Sequence, residues 1–182
     1  PRSTQSRSSA ASDVYKRQAL LRAPRTAPLW TAALLALEVE VVLENEGAVS
    51  LASAEPRQRQ SAVALRVPLR EGQRWGTARV ARTPADEPIV AAIAVVELAE
   101  ELVQSARVAL LGAWPEPARL AQAAAQLVGG PLDAASIAAT AAAIEAEVEP
   151  EGDWLGSADY RRAMAGVLAR RALEACLKEG EG

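Results

Sequence analysis

The chain lacks the residues on which much hydrolytic and metal chemistry depends. Its 182 residues include no histidine and one cysteine, Cys176. Without histidine, the general base of Ser/His/Asp and Cys/His hydrolases is missing, and the usual zinc and iron ligand sets cannot be assembled. One cysteine can form neither an internal disulfide nor a cysteine-only metal site. We therefore expect this chain to hold neither a catalytic residue nor a metal of its own.

Long apolar runs and a concentrated basic surface are also missing. The longest apolar runs, 29–37 and 89–96, are far shorter than the roughly 20 residues that span a bilayer. The net charge is −3, and the basic residues after residue 20 are dispersed among acidic ones, which is not typical of a nucleic-acid-binding surface. A single cysteine is compatible with a reducing compartment. These features predict a cytoplasmic protein with no membrane span and no nucleic-acid partner.

The first 18 residues differ in composition from the rest of the chain. They are rich in serine and basic residues, show no hydrophobic period, and begin with Pro1 rather than methionine. An organellar transit peptide is one interpretation, but no amphipathic helical pattern accompanies it. A leader foreign to the protein is the interpretation we favour, in which case the native protein has been cut at its front. Half of the residues are hydrophobic, which is enough for one good core or two small ones.

The pattern after the leader predicts two structural units. In the first unit, 19–72, the apolar periods predict a helix followed by three strands, separated by a turn and a polar loop. The predicted bounds are a helix at 29–37, strands at 39–43, 49–52 and 62–68, a turn at 45–47 and a loop at 53–60. The charged, glycine-containing segment Arg70–Gln73 is the predicted boundary.

The second unit, 73–182, reads as strands followed by helices, which is the pattern of an α+β fold. Strands are predicted at 75–82, 89–98 and 104–111, and the middle one is apolar on both faces, so we expect it to be central and covered. Three helices are predicted to follow. Their markers are the spacing of Leu120, Ala124 and Leu127, a start near Asp133, and an N-cap at Ser157.

Four segments in this order resemble the FAD-binding subunits of molybdenum hydroxylases, the xanthine dehydrogenase and carbon monoxide dehydrogenase flavoprotein family. The first two resemble a leucine-rich helix with its valine-rich strand and the strand that closes the FAD domain. The third resembles the start of the C-terminal domain, and the fourth is the motif Gly-Ser-Ala-Asp-Tyr-Arg-Arg. These segments are 33–43, 63–68, 79–86 and 156–162.

The resemblance implies an α+β fold: the C-terminal part of an FAD-binding domain, then a small antiparallel sheet packed on about three helices. It implies FAD as cofactor, with a molybdenum-cofactor subunit and a 2Fe-2S subunit as partners, and electron transfer through FAD to an acceptor such as NAD or a quinone. The two glycine-rich loops that bind the FAD pyrophosphate in the family have no counterpart here. We therefore expect the chain alone to be inactive and to bind FAD poorly.

The resemblance also assigns cofactor-binding roles to two residues. Arg79 would lie near the isoalloxazine ring, where it could stabilise negative charge; the alternative is an ordinary surface-strand arginine. Ala62 would pack against the ring, or else serve only strand packing. Arg82 and Asp86 could form an ion pair across a turn.

Other prominent residues have structural interpretations. Arg161 and Tyr160 are expected to anchor a helix to the sheet, and Cys176 is expected to be a small buried hydrophobe. The tryptophans at 75, 114 and 154 are expected to be core or interface anchors, and the glutamates between 145 and 151 a solvated face. For the whole chain, the alternative to a flavoprotein is a non-catalytic α+β interaction module without cofactor.

Overall fold

The computed structural model describes residues 27–44 and 47–178, which form two antiparallel sheets. The first helix of the described residues is short, α1 (Pro28–Ala36), and lies where the apolar run predicts it. Sheet 1 has the strand order β2-β1-β3, and its central strand buries alternate residues, Val41 and Leu43, as expected for a two-residue period. The strands of sheet 1 are β1 (Glu40–Leu43), β2 (Gly47–Ser50) and β3 (Ala62–Arg66).

The segment expected to be a polar loop in this unit contains a helical turn instead, α2 (Pro56–Gln60). The Glu55 backbone N–H donates to Oε1 of Gln58 at 3.0 Å, and proline at the first helical position needs no hydrogen-bond acceptor. These two local features stabilise a turn that hydrophobic periodicity cannot reveal. Of the predicted turn at 45–47, Asn45 and Glu46 lie outside the described residues.

Sheet 2 has the strand order β4-β5-β6-β7, with antiparallel pairing throughout. The apolar strand is central, as predicted, because residues 90–96 are buried between β4 and β6. The short fourth strand was not predicted. The strands of sheet 2 are β4 (Gln73–Val80), β5 (Val90–Ala99), β6 (Leu102–Leu111) and β7 (Arg119–Leu120).

Helices follow the strands, in agreement with the α+β prediction. The first predicted helix is a 3₁₀ helix rather than an α-helix, and the Glu147 carboxylate accepts hydrogen bonds from Gln122 N and Ala123 N at its start, at 2.9 and 2.8 Å. The other two predicted starts are confirmed: Asp133 Oδ1 accepts from Ser136 N at 2.8 Å, and Ser157 Oγ accepts from Tyr160 N at 3.2 Å. The helical segments are the 3₁₀ helix (Gln122–Leu127), α3 (Ala134–Glu147) and α4 (Ala158–Lys178).

The two faces of sheet 2 are covered differently. Residues such as Ala92, Ala94 and Val96 face α4, which packs on β4 and β5 and is in turn covered by α3. Alternate residues such as Ile93 and Val95 face α1, which covers β5, β6 and β7. Helix α1 therefore lies on the sheet that follows the predicted boundary at 70–73. In the described ranges, no helix has the length and apolar character needed to cross a membrane.

Candidate functional site

An open groove lies where α1 stops short of the edge strand β4. Helix α1 covers the other three strands of sheet 2, so the β4 edge of that face is left uncovered. The resulting space is about 550 Å³, within the range typical of small-molecule sites. We call it the β4 groove. It is lined by Leu29, Trp30, Ala33, Thr77, Ala78, Arg79, Ala91, Ala92 and Ile93.

The groove has an apolar floor and one charged side chain. Thr77 and Arg79 lie on β4 opposite Ile93 and Ala91 of β5. Trp30, on the α1 side of the groove, is 63% exposed. A flat apolar surface beside a single guanidinium can accept a planar ring that carries partial or full negative charge.

The turn after β4 fixes the position of Arg79. Its Nη2 donates to the Pro84 carbonyl oxygen at 3.2 Å. That turn is closed by two hydrogen bonds, from Thr83 N to Asp86 Oδ2 at 3.1 Å and from Asp86 N to the Thr83 carbonyl at 3.2 Å. The Arg79 side chain is therefore exposed at the groove but held on one side by the backbone.

The expected ion pair between Arg82 and Asp86 does not form. Asp86 accepts the Thr83 N–H instead, and the Arg82 guanidinium lies over the ring of Trp154 at 5.5 Å. The prediction was wrong because the carboxylate is used within its own turn, while an exposed aromatic face lies within reach of the arginine.

Ala62, the second residue expected to contact the cofactor, lies at the start of β3 in sheet 1. It is partly buried and packs against the small core formed by Val41, Leu43, Leu51 and Ala54. The structure thus places Arg79 in the β4 groove and Ala62 among the side chains of the other sheet.

The family motif around 156–162 forms a structural anchor. Arg161 is 7% exposed; its Nη2 donates to both Asp153 carboxylate oxygens at 2.7 Å, and its Nη1 donates to the Ile89 carbonyl at 2.7 Å. The hydrogen bond from Arg161 lowers the pKa of Asp153. The anchoring role predicted for Arg161 is confirmed, whereas Tyr160 is 39% exposed.

The tryptophans divide into a buried and an exposed group. Trp114 is 7% exposed and packs beneath the guanidinium of Arg119 at 4.9 Å. Trp75 and Trp154 are 58% and 81% exposed, so neither is a core residue, and an interface role for them stays a prediction. Cys176 is buried, as predicted, and its sulfur contacts the Ala94 carbonyl at 3.8 Å.

A second cavity, of about 330 Å³, lies on the other side of α1. Its polar lining includes Arg59, Glu116 and Arg119, but both Nε and Nη2 of Arg59 donate to backbone carbonyls of 51–54. Within 27–44 and 47–178, acidic and cysteine side chains nowhere form a group of three that could hold a metal ion.

Sequence reasoning missed Trp30, Thr77 and Arg107 as residues that shape the groove or its surroundings. Trp30 belongs to an apolar run that predicts a buried helix. It is exposed because it lies on the side of α1 that borders the uncovered β4 edge of the sheet. Thr77 has no motif. The one available signal was Arg107, a charged residue within a strand that is otherwise largely apolar.

Comparisons with known protein families and with known proteins agree on one family. The model of the CO dehydrogenase flavoprotein C-terminal domain matches residues 77–176. The carbon monoxide dehydrogenase medium chain of Hydrogenophaga pseudoflava is 32% identical over 114 residues, which are 62% of this chain and 40% of that protein. The medium chain of Afipia carboxidovorans is 31% identical over 120 residues, 66% of this chain and 41% of that protein. The chain thus spans about two fifths of the length of these relatives.

Solved structures agree with the sequence comparison. A carbon monoxide dehydrogenase from Hydrogenophaga pseudoflava, which lacks the Mo-pyranopterin moiety of its molybdenum cofactor, superposes with a TM-score of 0.71 at 30% identity, covering 81% of this chain and 55% of that one. The reconstituted CO dehydrogenase from Oligotropha carboxidovorans superposes with a TM-score of 0.70 at 27% identity, covering 87% of this chain and 60% of that one. Quinoline 2-oxidoreductase from Pseudomonas putida shares the fold, with a TM-score of 0.66 at 23% identity. The match covers 84% of this chain and 56% of that one.

The resemblance and the α+β fold expected from the sequence are therefore confirmed. The matched residues make up more than half of the chain, and they run from the middle of β4 to near the end of α4. The chain belongs to the family of CO dehydrogenase flavoprotein C-terminal domains.

Proposed function

We propose that this chain acts in an FAD-binding electron-transfer subunit of a molybdenum hydroxylase, and that the β4 groove faces the flavin ring. The observation that carries this proposal is the groove itself, an apolar sheet surface with Arg79 at its side, in a chain of a flavoprotein family. When bound, FAD would accept electrons from an iron–sulfur cluster and pass them to an acceptor such as NAD or a quinone.

The residues of the groove fit the ring end of FAD. Leu29, Ala33 and Ile93 offer apolar surface to a planar ring. Arg79 brings a charge that is always present, and its hydrogen bond to Pro84 holds it beside the groove. We propose that this chain binds the ring and orients it, and that Arg79 stabilises negative charge on it.

The described residues do not fit the pyrophosphate. Phosphate cradles need several free backbone N–H groups, usually in a glycine-rich loop. In the described ranges, the one pair of adjacent glycines has both N–H groups engaged: Gly129 donates to Val103 at 2.8 Å and Gly130 to Leu127 at 3.3 Å. The phosphates would have to be held by residues outside these ranges, which is why we expect weak binding of FAD by this chain alone.

The proposed assembly follows from the family. We propose a molybdenum-cofactor subunit and a 2Fe-2S subunit as partners, in a cytoplasmic complex whose substrate is oxidised at molybdenum outside this chain. The chain itself would then be inactive as an oxidoreductase. We also propose that the chain divides into the units 19–72 and 73–182. In the same proposal, Ala62 contacts the cofactor.

The test of the ring site compares riboflavin with FAD on the 182-residue chain. If the ring alone is held, both flavins bind weakly and with similar affinity, because FAD gains nothing from its phosphates. Arg79→Met should weaken both, by about tenfold if a charge-assisted contact of about 1.4 kcal/mol or more is lost. Arg66→Met, which removes an exposed arginine of β3, is the matched control and should leave both affinities unchanged.

Two results would contradict the proposal. Tight stoichiometric binding of FAD, far stronger than that of riboflavin, would show that this chain holds the phosphates after all. A native complex that is colourless after purification, and that cannot be reconstituted with FAD, would favour the alternative of a non-catalytic interaction module.

A further inference from the structure

The C-terminal end of α1 has a backbone conformation that is uncommon for its residue type. Glu38 follows the helix with a φ of 52°. Its N–H donates to the Leu35 carbonyl at 3.1 Å, and Val39 N–H donates to the Leu34 carbonyl at 3.0 Å. This is the Schellman arrangement, in which glycine is the usual residue at the left-handed position. A glutamate at this position is strained unless contacts of its side chain stabilise it.

The Glu38 carboxylate belongs to a cluster of four charges that joins α1 to sheet 2. Arg107 Nη1 lies 2.7 Å from Glu38 Oε2, and its Nη2 donates to Glu97 Oε1 at 2.6 Å. Arg70, from the segment between the sheets, bonds both carboxylates at 2.7 and 2.6 Å. We call Glu38, Arg70, Glu97 and Arg107 the four-charge cluster.

Arg107 also caps the helix directly. Its Nε donates to the carbonyl of Ala36, the last residue of α1, at 2.9 Å. Carbonyls in the last turn of a helix receive no hydrogen bond from an N–H group of the helix, so a side chain from another element can donate to them. A positive charge at that end also complements the helix dipole. Arg107 is 9% exposed, and this nearly buried side chain uses all three of its nitrogens on the end of α1 and its neighbours.

Helix α1 depends on such contacts for its position. It has nine residues, and its N-cap, Ala27, makes no side-chain hydrogen bond. Helices shorter than about 12 residues are marginal in isolation, so packing and capping set where α1 lies. Leu29, Trp30 and Ala33 of this helix form one side of the β4 groove.

We propose that Arg107 is a positioning residue for the β4 groove: by capping α1 and binding Glu38, it holds the helical wall of the groove over sheet 2. The groove's role as a flavin-ring site rests on the proposed function above. The position of the wall does not, so the two claims can fail separately.

The test uses Arg107→Lys, which keeps the charge but cannot reproduce the three-way contact of a guanidinium. Backbone amide hydrogen exchange is measured along the chain, and riboflavin affinity on the same samples. We expect exchange in the last turn of α1 to rise about tenfold or more, as for loss of one charge-assisted hydrogen bond. Exchange around Leu168 and Leu173, on the buried face of α4, should stay as in the parent, and riboflavin should bind several-fold more weakly. Arg66→Met is again the control.

Each outcome decides one claim. Unchanged exchange in α1 would overturn the positioning role, whatever happens to flavin. Faster exchange with unchanged riboflavin affinity, in a chain where Arg79→Met does weaken riboflavin, would also overturn it. If the parent binds no riboflavin, the proposed function falls, and exchange in α1 alone decides the positioning role. Should Arg107→Lys fail to fold, the double variant Arg107→Met/Glu97→Met removes the charge pair together and is measured in the same way.

Discussion

At the residue scale, Glu38 combines an unfavourable backbone with a favourable side chain. A non-glycine residue in the left-handed region costs roughly 1–2 kcal/mol, and here the side chain binds both Arg70 and Arg107. The two contributions oppose each other at one position, and substitution can separate them.

Glu38→Ala removes the carboxylate and keeps the strain, whereas Glu38→Gly removes both. We therefore expect Glu38→Gly to have a higher free energy of unfolding than Glu38→Ala, by about 1 kcal/mol. Urea denaturation of the two variants beside the parent measures the difference. Equal stabilities would mean that the left-handed conformation is not strained.

Gly76 is a second position where a single atom matters. It lies on β4 under α4, and a Cβ there would come within 2.0 Å of the Ala172 carbonyl oxygen and 2.8 Å of the Ala175 Cβ. Since one of these contacts is backbone, Gly76→Ala should force the helix away from the strand. We expect a loss at the upper end of the about 1–3 kcal/mol that overpacking costs.

Gly130→Ala is the matched control for that substitution. A Cβ at Gly130 would have the Leu127 carbonyl as its nearest neighbour, at 3.7 Å, which is ordinary contact. Thermal unfolding of both variants should show a large drop in Tm for Gly76→Ala and little change for Gly130→Ala. A Gly76→Ala protein as stable as the parent would refute the close approach of β4 and α4.

At the scale of elements, the four-charge cluster couples α1, β5 and β6 through Glu97. Burial of Glu97 raises the pKa of its carboxyl, but hydrogen bonds from Arg107 and Arg70 outweigh that effect, and the net pKa is lowered from the ordinary value of 4.5. A lowered pKa in the folded state means that the carboxylate contributes stability above the ordinary value. That stability is lost as the pH falls through the folded pKa.

Glu97→Gln should therefore be less stable than the parent at neutral pH, and the difference should shrink as the pH is lowered below 4.5. The pKa of Asp153 is also lowered, so the parent loses stability in acid for more than one reason. The difference between parent and Glu97→Gln, measured by urea denaturation at each pH, isolates Glu97. A constant difference across the pH range would contradict the pairing.

The elements also show what the sequence could and could not predict. The central position of β5 followed from the eight consecutive apolar residues 89–96, and the starts of α3 and α4 followed from Asp133 and Ser157. The hairpin between β5 and β6 turns on Glu100 and Glu101, both with positive φ, at 51° and 67°. Such turns favour asparagine and glycine, so two glutamates gave no signal, and β6 begins two residues before the predicted start.

The groove was less predictable than the fold. Arg79 could be selected through family resemblance, but the space beside it exists because α1, whose Leu34 and Leu35 also contact the core of sheet 1, covers β5, β6 and β7 of sheet 2 and stops short of β4. No periodicity encodes that choice of partner. It depends on long-range contacts such as Arg107 to Ala36, which are 71 residues apart.

At the scale of the whole molecule, the two sheets are linked by α1 and by the four-charge cluster. Because α1 packs on β5 and β6 and connects directly to β1, opening of one sheet should disturb the other. We expect the parent chain to unfold in a single transition, with coincident denaturant curves from circular dichroism and tryptophan fluorescence.

The double variant Arg107→Met/Glu97→Met should weaken that linkage without touching either sheet's own hydrogen bonds. Separation of the two denaturant curves in this variant, with coincident curves in Arg66→Met, is the expected result. Two separate transitions in the parent chain would show that the sheets unfold independently.

The anchor at Arg161 bears on how sequences of this family should be read. Arg161, the first of the two arginines in the Gly-Ser-Ala-Asp-Tyr-Arg-Arg motif, binds Asp153 and the carbonyls at the ends of β5 and β6, away from the residues that line the β4 groove. A newly sequenced chain that carries this motif can therefore be expected to have the long helix docked on its sheet. The motif in this chain therefore reports how α4 is docked, and flavin binding has to be tested at other positions, such as Arg79 in the β4 groove.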